Sequence, residues 1–274
     1  MTSGKHEGQP AGSVEPPAFI RFFNETLAVA EVEISKIVRD PTEMFTRAVQ
    51  PVLWLAIFGQ VFSRVRGIPT GNVSYLAFMT PGILAQSVLF SAIFYGIAAI
   101  WERDLGIIHK LLVSPAGRAA LISGKALSSG FRGIVQVAIV YCIASLMGIK
   151  LVFSVTSVAG VTLMVVLGSA IFSTFSLIIA CIVKTRERFM GIGQILTMPL
   201  FFASNAIYPL DLMPGWLKVL AHVNPLTYLV DSLRGMLISG GASVHALWFN
   251  FIVMAVVYLV FLMIAVVLYP SIVK

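Results

Sequence analysis

The residues in this sequence that could do chemistry are few, and most lack the neighbours that chemistry needs. Gly124-Lys125 has the look of a nucleotide-binding loop, but Ala126 follows where Ser or Thr is required, and Gly117 stands at the wrong spacing. Such a loop cradles phosphates with backbone N–H groups and holds magnesium with the hydroxyl, so ATP hydrolysis by that route is not expected. The four histidines, His6, His109, His222 and His245, are scattered without ligand-spaced partners. Cys142 and Cys181 lie inside apolar runs, where cysteine behaves as a small hydrophobe. Neither a metal site, nor a disulfide framework, nor a cofactor bound by this chain is expected. Ser169 and Ser173 have no Asp or Glu in their apolar surroundings and read as helix–helix hydrogen-bonders. Asn205 lacks the Ser or Thr two positions on that glycosylation needs. The chain itself is therefore expected not to be an enzyme.

Residues suited to binding form two sets. Gln50, Trp54 and Phe58 recur every four residues, so on a helix they share a face. Gln194, Thr197, Phe201 and Asn205 fall in one stretch with Met198, Phe202 and Ser204. Aromatic, Met and amide side chains together suit an amphiphile, with apolar contact for affinity and polar groups for orientation. Taken singly, each of them is more simply explained by ordinary helix packing or lipid contact. An amide in hydrocarbon is costly, so Gln50 is expected to face the interior.

The elements that carry these residues follow from composition. The chain has 274 residues, of which 58% are apolar and 11% charged, with mean hydropathy +0.93. Ordinary soluble domains are about 25% charged. A soluble globule could not hide this much apolar surface, which makes the chain an integral membrane protein and excludes soluble enzyme folds, nucleic-acid modules and disordered classes. The charge of +7 and pI near 9.6 then reflect basic cytoplasmic loops rather than nucleic acid. Apolar runs long enough to span are expected at residues 44–62, 75–100, 126–147, 155–183, 189–207 and 246–269. Pro51, Pro81 and Pro199 could kink three of them. Residues 212–238 are interrupted by Pro214, Lys218, Pro225, Asp231 and Arg234 and read as short helices dipping into the surface. The expected fold is all-α, with six spans and a re-entrant outer segment between the fifth and sixth.

Six spans put both termini on one side. With the N-terminus inside, the inner segments hold Lys5, Arg21, Lys36, Arg39, Arg47, Arg103, Lys110, Arg118, Lys125, Lys184, Arg186, Arg188 and Lys274. The outer ones hold only Arg64, Arg66, Lys150, Lys218 and Arg234. That excess places both termini in the cytoplasm. The start is Gly-, Pro- and Glu-rich without an apolar stretch, so no cleavable signal peptide is expected. Residues 1–17 read as a mobile tail, 18–40 as an amphipathic helix and 41–274 as the six-span domain. In that helix Phe19, Phe23, Leu27, Ala30, Ile34 and Ile37 recur at helical steps until Asp40-Pro41. It fits either a helix packed on the bundle or one lying in the cytoplasmic interface.

The assigned spans hold no Asp or Glu, and the only charge well inside one is Arg132. Proton and sodium carriers place ionisable groups at the midplane. The energy source is therefore expected in a partner, which must grip a cytoplasmic loop. The loop from Trp101 to Pro115 sets Leu105, Ile108 and Leu112 at helical spacing and stops at Ser114-Pro115. A short amphipathic helix there could dock in a partner's groove or simply solvate the loop.

Here the sequence resembles a family. Glu102-Arg103, Gly106, Leu111 and Ser114-Pro115, followed by Arg118 and Lys125, resemble the loop of ABC-2 type export permeases. Asn224-Pro225-Leu226-Thr227-Tyr228, then Arg234, resemble that family's C-terminal signature, after Tyr208-Pro209 and Met213-Pro214 at the family's spacing. The likeness runs from about Phe19 to the end and is nearest to the drug-resistance and nodulation-factor exporters. It implies two permease copies, a homodimer by expectation, in the plasma or inner membrane with two separate ATPase subunits that use ATP and magnesium. Glu102, Arg103, Gly106, Leu111, Ser114 and Pro115 would form the coupling helix on the ATPase, with Lys184 to Arg188 as a smaller contact. Pro225, Tyr228, Asp231 and Arg234 would belong to a re-entrant lid; Asp231 and Arg234 stand at helix-pair spacing, which fits a paired surface as well. The expected function is export of an amphiphile (drug, lipid, glycolipid or natural product) by alternating access. A secondary carrier or channel without an ATPase, and a non-transporting scaffold, are the competing classes.

Overall fold

Apolar runs that begin on a capping side chain become helices here. The computed structural model describes residues 17–39, 46, 49–63, 73–108, 113, 117–183 and 185–273. In chain order these form α1 (Ala18–Arg39), α2 (residues 49–63), α3 (Tyr75–Asp104), α4 (Arg118–Leu146), α5 (Val155–Ile182), α6 (Arg186–Phe202), α7 (Gly215–Val223), α8 (Pro225–Leu237) and α9 (Leu247–Leu268). Ser74, Ser154, Thr185 and Asn224 each accept a hydrogen bond from a first-turn N–H of α3, α5, α6 and α8. Among the described residues the only extended pairing is an isolated bridge between Leu151 and Ile238.

Among the described residues four helices are long and apolar enough to cross a membrane: α3, α4, α5 and α9. The expected first and fifth spans appear as the shorter α2 and α6; α6 has 17 residues and ends at Phe202, before a run of turns. The third starts at Arg118, ahead of the expected Ala126, because Glu25 of α1 accepts from the Gly117 N–H at 2.9 Å and satisfies one of the donors left open at the helix start. Residues 1–16, Asp40-Pro41 and the start of the expected first span at Met44 lie outside the described residues.

The bundle is built around α5. Its most apolar stretch is 72% buried, and it packs on α3, α4, α8 and α9. The corresponding stretch of α9 is only 11% buried. Its length and lack of charge then mark an apolar surface that the rest of the described chain leaves uncovered. Helix α3 breaks its hydrogen-bond ladder at Phe94, and Ser176 of α5 repairs the break: its hydroxyl donates to the Ile93 carbonyl and accepts from the Gly96 N–H at 2.9 Å. In α2, residues Trp54–Gly59 form a π turn. The wider turn brings residues four apart almost one above the other.

Candidate functional sites

At the end of the bundle that carries Glu102, α1 lies across α4. It buries Thr26, Ala30, Glu33 and Ile37, a stripe at helical spacing. A Cβ on Gly124 would stand 2.6 Å from Val29 and 2.7 Å from the Thr26 carbonyl, so only glycine allows this approach. Phe19, Ile20, Phe23 and Leu27 stay exposed. The amphipathic period thus serves two surfaces, a protein face through Ala30 and Ile37 and an uncovered apolar face through the aromatic residues.

That packing closes over a charge cluster. Lys125 is 2% exposed, and its ammonium touches the Glu102 carboxylate and stands 3.6 Å from Glu33. Lys36 reaches Glu33 at 3.0 Å and Glu102 at 3.3 Å. The Tyr95 ring lies 5.6 Å from the Lys125 ammonium. A cation buried this deeply is tolerable only when paired. Glu102 therefore faces inward and joins α1, α3 and α4.

A second ionic contact ties the start of α6 to the same region. Arg186 donates to Asp104 at 2.7 Å, and its guanidinium lies 3.6 Å from the centre of the Trp101 ring. Arg103 also holds Asp104, at 2.8 Å. Helix α3 then ends at Leu105 and Gly106. Gly106 has φ +70°, and its N–H returns to the Arg103 carbonyl at 2.9 Å, a glycine helix stop. Leu111, Ser114, Pro115 and Lys184 lie outside the described residues.

The expected cavity residues fall into three places. Trp54 stacks on Phe58 at 4.5 Å and meets Phe201 edge-on at 5.9 Å, so α2 and α6 do converge, with Gln50 half-buried on the same helix. Gln194 and Thr197 line a cavity of about 270 Å³ together with Phe90, Phe94, Phe189 and Met190. The Thr197 hydroxyl is spent on the Gly193 carbonyl. Asn205 lies at the opposite end of the bundle, beyond the last turn of α6.

That opposite end is assembled by polar side chains from α8 and the residue preceding it. Asn224 caps α8 and also donates to the Leu200 and Ala203 carbonyls at 2.6 and 3.1 Å, fastening α8 to the end of α6. Pro225 occupies the first helical turn, where no N–H is missed. The Tyr228 hydroxyl donates to the His222 carbonyl at 2.7 Å. Asp231 and Arg234 share the spacing of a helix pair, yet each holds other partners. Asp231, fully buried, accepts from the Val244 and His245 N–H groups at 2.7 and 3.0 Å and from Asn250 at 2.9 Å, which fixes the entry into α9. Arg234 donates to the Asn205 carbonyl at 2.6 Å and covers the Phe78 ring at 3.8 Å. Burial pulls its guanidinium down to about 10, with the Asp231 charge opposing, so it stays cationic at neutral pH.

Two features escaped the sequence reading. Lys125 stood out in a nucleotide-loop look-alike, in the family-like loop and as a loop cation, but not as a buried charge, and Glu33 not at all. The available signal was a carboxylate on the buried stripe of α1, between Ala30 and Ile37, which demands a cation opposite it.

A family model described as ABC-2 type transporter matches residues 24–238. The chain is 28% identical to the ycf38 permease of Cyanophora paradoxa over 215 residues, 78% of this chain and 74% of that one. It is 23% identical to the daunorubicin resistance ABC transporter permease protein DrrB1 of Streptomyces coeruleorubidus, over 72% of this chain and 69% of that one. To the inner membrane transport permease YadH of Escherichia coli (strain K12) it is 28% identical, over 68% of this chain and 73% of that one.

Proposed function

The chain belongs to the ABC-2 type transporter family, and from that premise we propose that it is the membrane subunit of an ATP-driven exporter of amphiphiles. The family implies an ABC ATPase partner in general. In this reading two copies of the chain pair in the membrane and each seats one ATPase subunit. ATP and magnesium are bound by the ATPase, and this chain does no chemistry of its own.

The observation that carries the reading is the ionic joining of the Glu102 end. Glu102 binds α3 to α4 and α1 through Lys125 and Lys36, and Asp104 binds α3 to α6 through Arg186. A force on the loop that follows Gly106 would be passed to these helices together rather than absorbed by one. In alternating access that is what a coupling loop has to do. The direct ATPase contacts are assigned to the residues from Arg103 onward, since Glu102 is occupied within the chain.

The six-span arrangement treats α2 and α6 as the two remaining spans and α7 and α8 as a re-entrant segment on the outer side. Both termini then lie in the cytoplasm with the exposed apolar face of α1 in the interface. Ile57, Phe58 and Val61 of α2 and Met190, Ile195, Met198 and Phe202 of α6 are exposed, a surface suited to a second copy and to an amphiphilic cargo between copies.

The test is co-purification with the ABC ATPase expressed alongside it, then ATP hydrolysis and export of an amphiphile from proteoliposomes. Export that needs both subunits and hydrolysable ATP is the expected result. Transport by the purified chain alone, driven by an ion gradient, would replace this reading with a secondary carrier. Absence of flux with every ATPase that binds would leave a scaffold.

A further inference from the structure

We infer that α3 carries a two-state bend at Phe94 and that Ser176 of α5 is the positioning residue that holds the bent state. In an unbroken helix the Gly96 and Ile97 N–H groups would donate to the Ala92 and Ile93 carbonyls. Here Ile97 turns to the Phe94 carbonyl at 3.2 Å, and Gly96 donates to the Ser176 hydroxyl at 2.9 Å. The same hydroxyl donates to the Ile93 carbonyl that the ladder has released. Ile93, Gly96 and Ser176 are all buried, so these groups depend on one another. Other span hydroxyls behave differently. Thr80, Ser87 and Ser173 each turn to a carbonyl of their own helix, three or four residues back. Gly96 is what admits the crossing: a Cβ there would stand 2.4 Å from Ser176 Oγ and 2.4 Å from the Phe189 ring of α6.

The straight state leaves no group without a partner. With the Ser176 hydroxyl turned back on its own helix, Gly96 and Ile97 close the ladder on Ala92 and Ile93. Bent and straight states thus match bond for bond, the condition under which a small bias moves an equilibrium. The segment below the bend, Tyr95–Asp104, has 10 residues and carries Trp101, Glu102 and Asp104. Such a segment is about 15 Å long, so a change of about 20° at the bend moves its end by about 5 Å. That parts contacts such as Lys36 to Glu102 at 3.3 Å and Arg186 to Asp104 at 2.7 Å. The bent state is therefore what delivers these side chains to α1, α4 and α6. Phe90 and Ile97, on either side of the bend, also line the 270 Å³ cavity with Gln194 and Thr197, so the cavity and the ionic end share one bend. Its service in coupling rests on the export reading; the bend itself does not.

The test uses the full chain in nanodiscs without an ATPase. Spin labels go on Leu105→Cys and Val267→Cys, exposed positions at the Glu102 end, in a Cys142→Ser background; Cys181 is buried. Ser176→Ala should fold, because the backbone closes its own ladder, and should move the distance between labels by about 5 Å. Ser173→Ala loses a hydroxyl that serves only its own helix and should leave the distance unchanged. Melting temperature is the second readout. Glu102→Gln should lower it by about 5–10 °C in wild type and by less than half as much in Ser176→Ala, where the contact is already lost. A merely local role for Ser176 would leave the two losses additive. The inference is overturned if Ser176→Ala keeps the wild-type distance, if Ser173→Ala shifts it equally, if the melting losses add, or if Ser176→Ala does not fold. Failure of the export reading, seen as transport without an ATPase, would leave these distances and melting losses as they are.

Discussion

Replacing Glu102 by Gln keeps the volume of the side chain and removes the nearest counter-charge of a buried cation. Lys125 is 2% exposed and keeps one carboxylate, Glu33, at 3.6 Å. At an effective dielectric of about 20 that remaining pair retains a gross attraction of about 4–5 kcal/mol. Breaking a buried pair outright costs about 3–5 kcal/mol, and with Glu33 still in place Glu102→Gln should cost about 2–3 kcal/mol. For a chain of this size that lowers the melting temperature in detergent by about 5–10 °C, read by intrinsic fluorescence. Lys125→Met removes the cation and its desolvation cost together. Glu33 and Glu102 then keep Lys36 at 3.0 and 3.3 Å, with side chains 11% and 13% exposed. In that background Glu102→Gln should cost no more than about 1 kcal/mol, because the one partner left to it, Lys36, is 55% exposed and still pairs with Glu33. Equal losses of melting temperature in both backgrounds would refute the claim that Glu102 acts through Lys125.

The other predictions follow from single contacts. Gly106→Ala meets no atom of the described residues within 4 Å but must hold φ at +70°; it should cost about 1 kcal/mol by strain alone, leave the bundle folded, and lower transport per ATP hydrolysed in the assembled complex. Arg186→Ala breaks a part-exposed pair, 31% and 37% exposed, so stability should fall by no more than about 1 kcal/mol, while coupling of hydrolysis to transport in proteoliposomes falls further than stability does. Gly124→Leu drives a side chain into Val29 and Thr26; α1 should lift from α4, which protease cleavage within residues 18–39 will report. Asn224→Ala removes a cap worth about 1–2 kcal/mol and frees the Leu200 and Ala203 carbonyls, so melting should drop while expression in the membrane is kept.

Much of the architecture was readable before any coordinates. The charge-poor composition specified a helical membrane protein, because only helices or closed barrels satisfy backbone polar groups in lipid. Hydropathy located the four long spans and started two of them at Tyr75 and Val155, where the structure shows Ser74 and Ser154 accepting first-turn N–H groups. The period of α1 was legible too, and two motif clusters identified the family from sequence alone. Tertiary structure decided what those residues do. Spacing pairs Asp231 with Arg234, but the fold gives Asp231 to the α9 entry and Arg234 to Asn205, since partners brought together from distant positions outbid a neighbour three residues away. Spacing also grouped Asn205 with Gln194, yet α6 ends between them and sends Asn205 to the other end of the bundle. Glu102 looked like a group for an outside partner until the close approach at Gly124 brought Glu33 and Lys125 against it. Local propensity is written in consecutive residues and can be read from them. Pairing of buried charges depends on which helices cross, and crossing is settled only when the whole bundle packs.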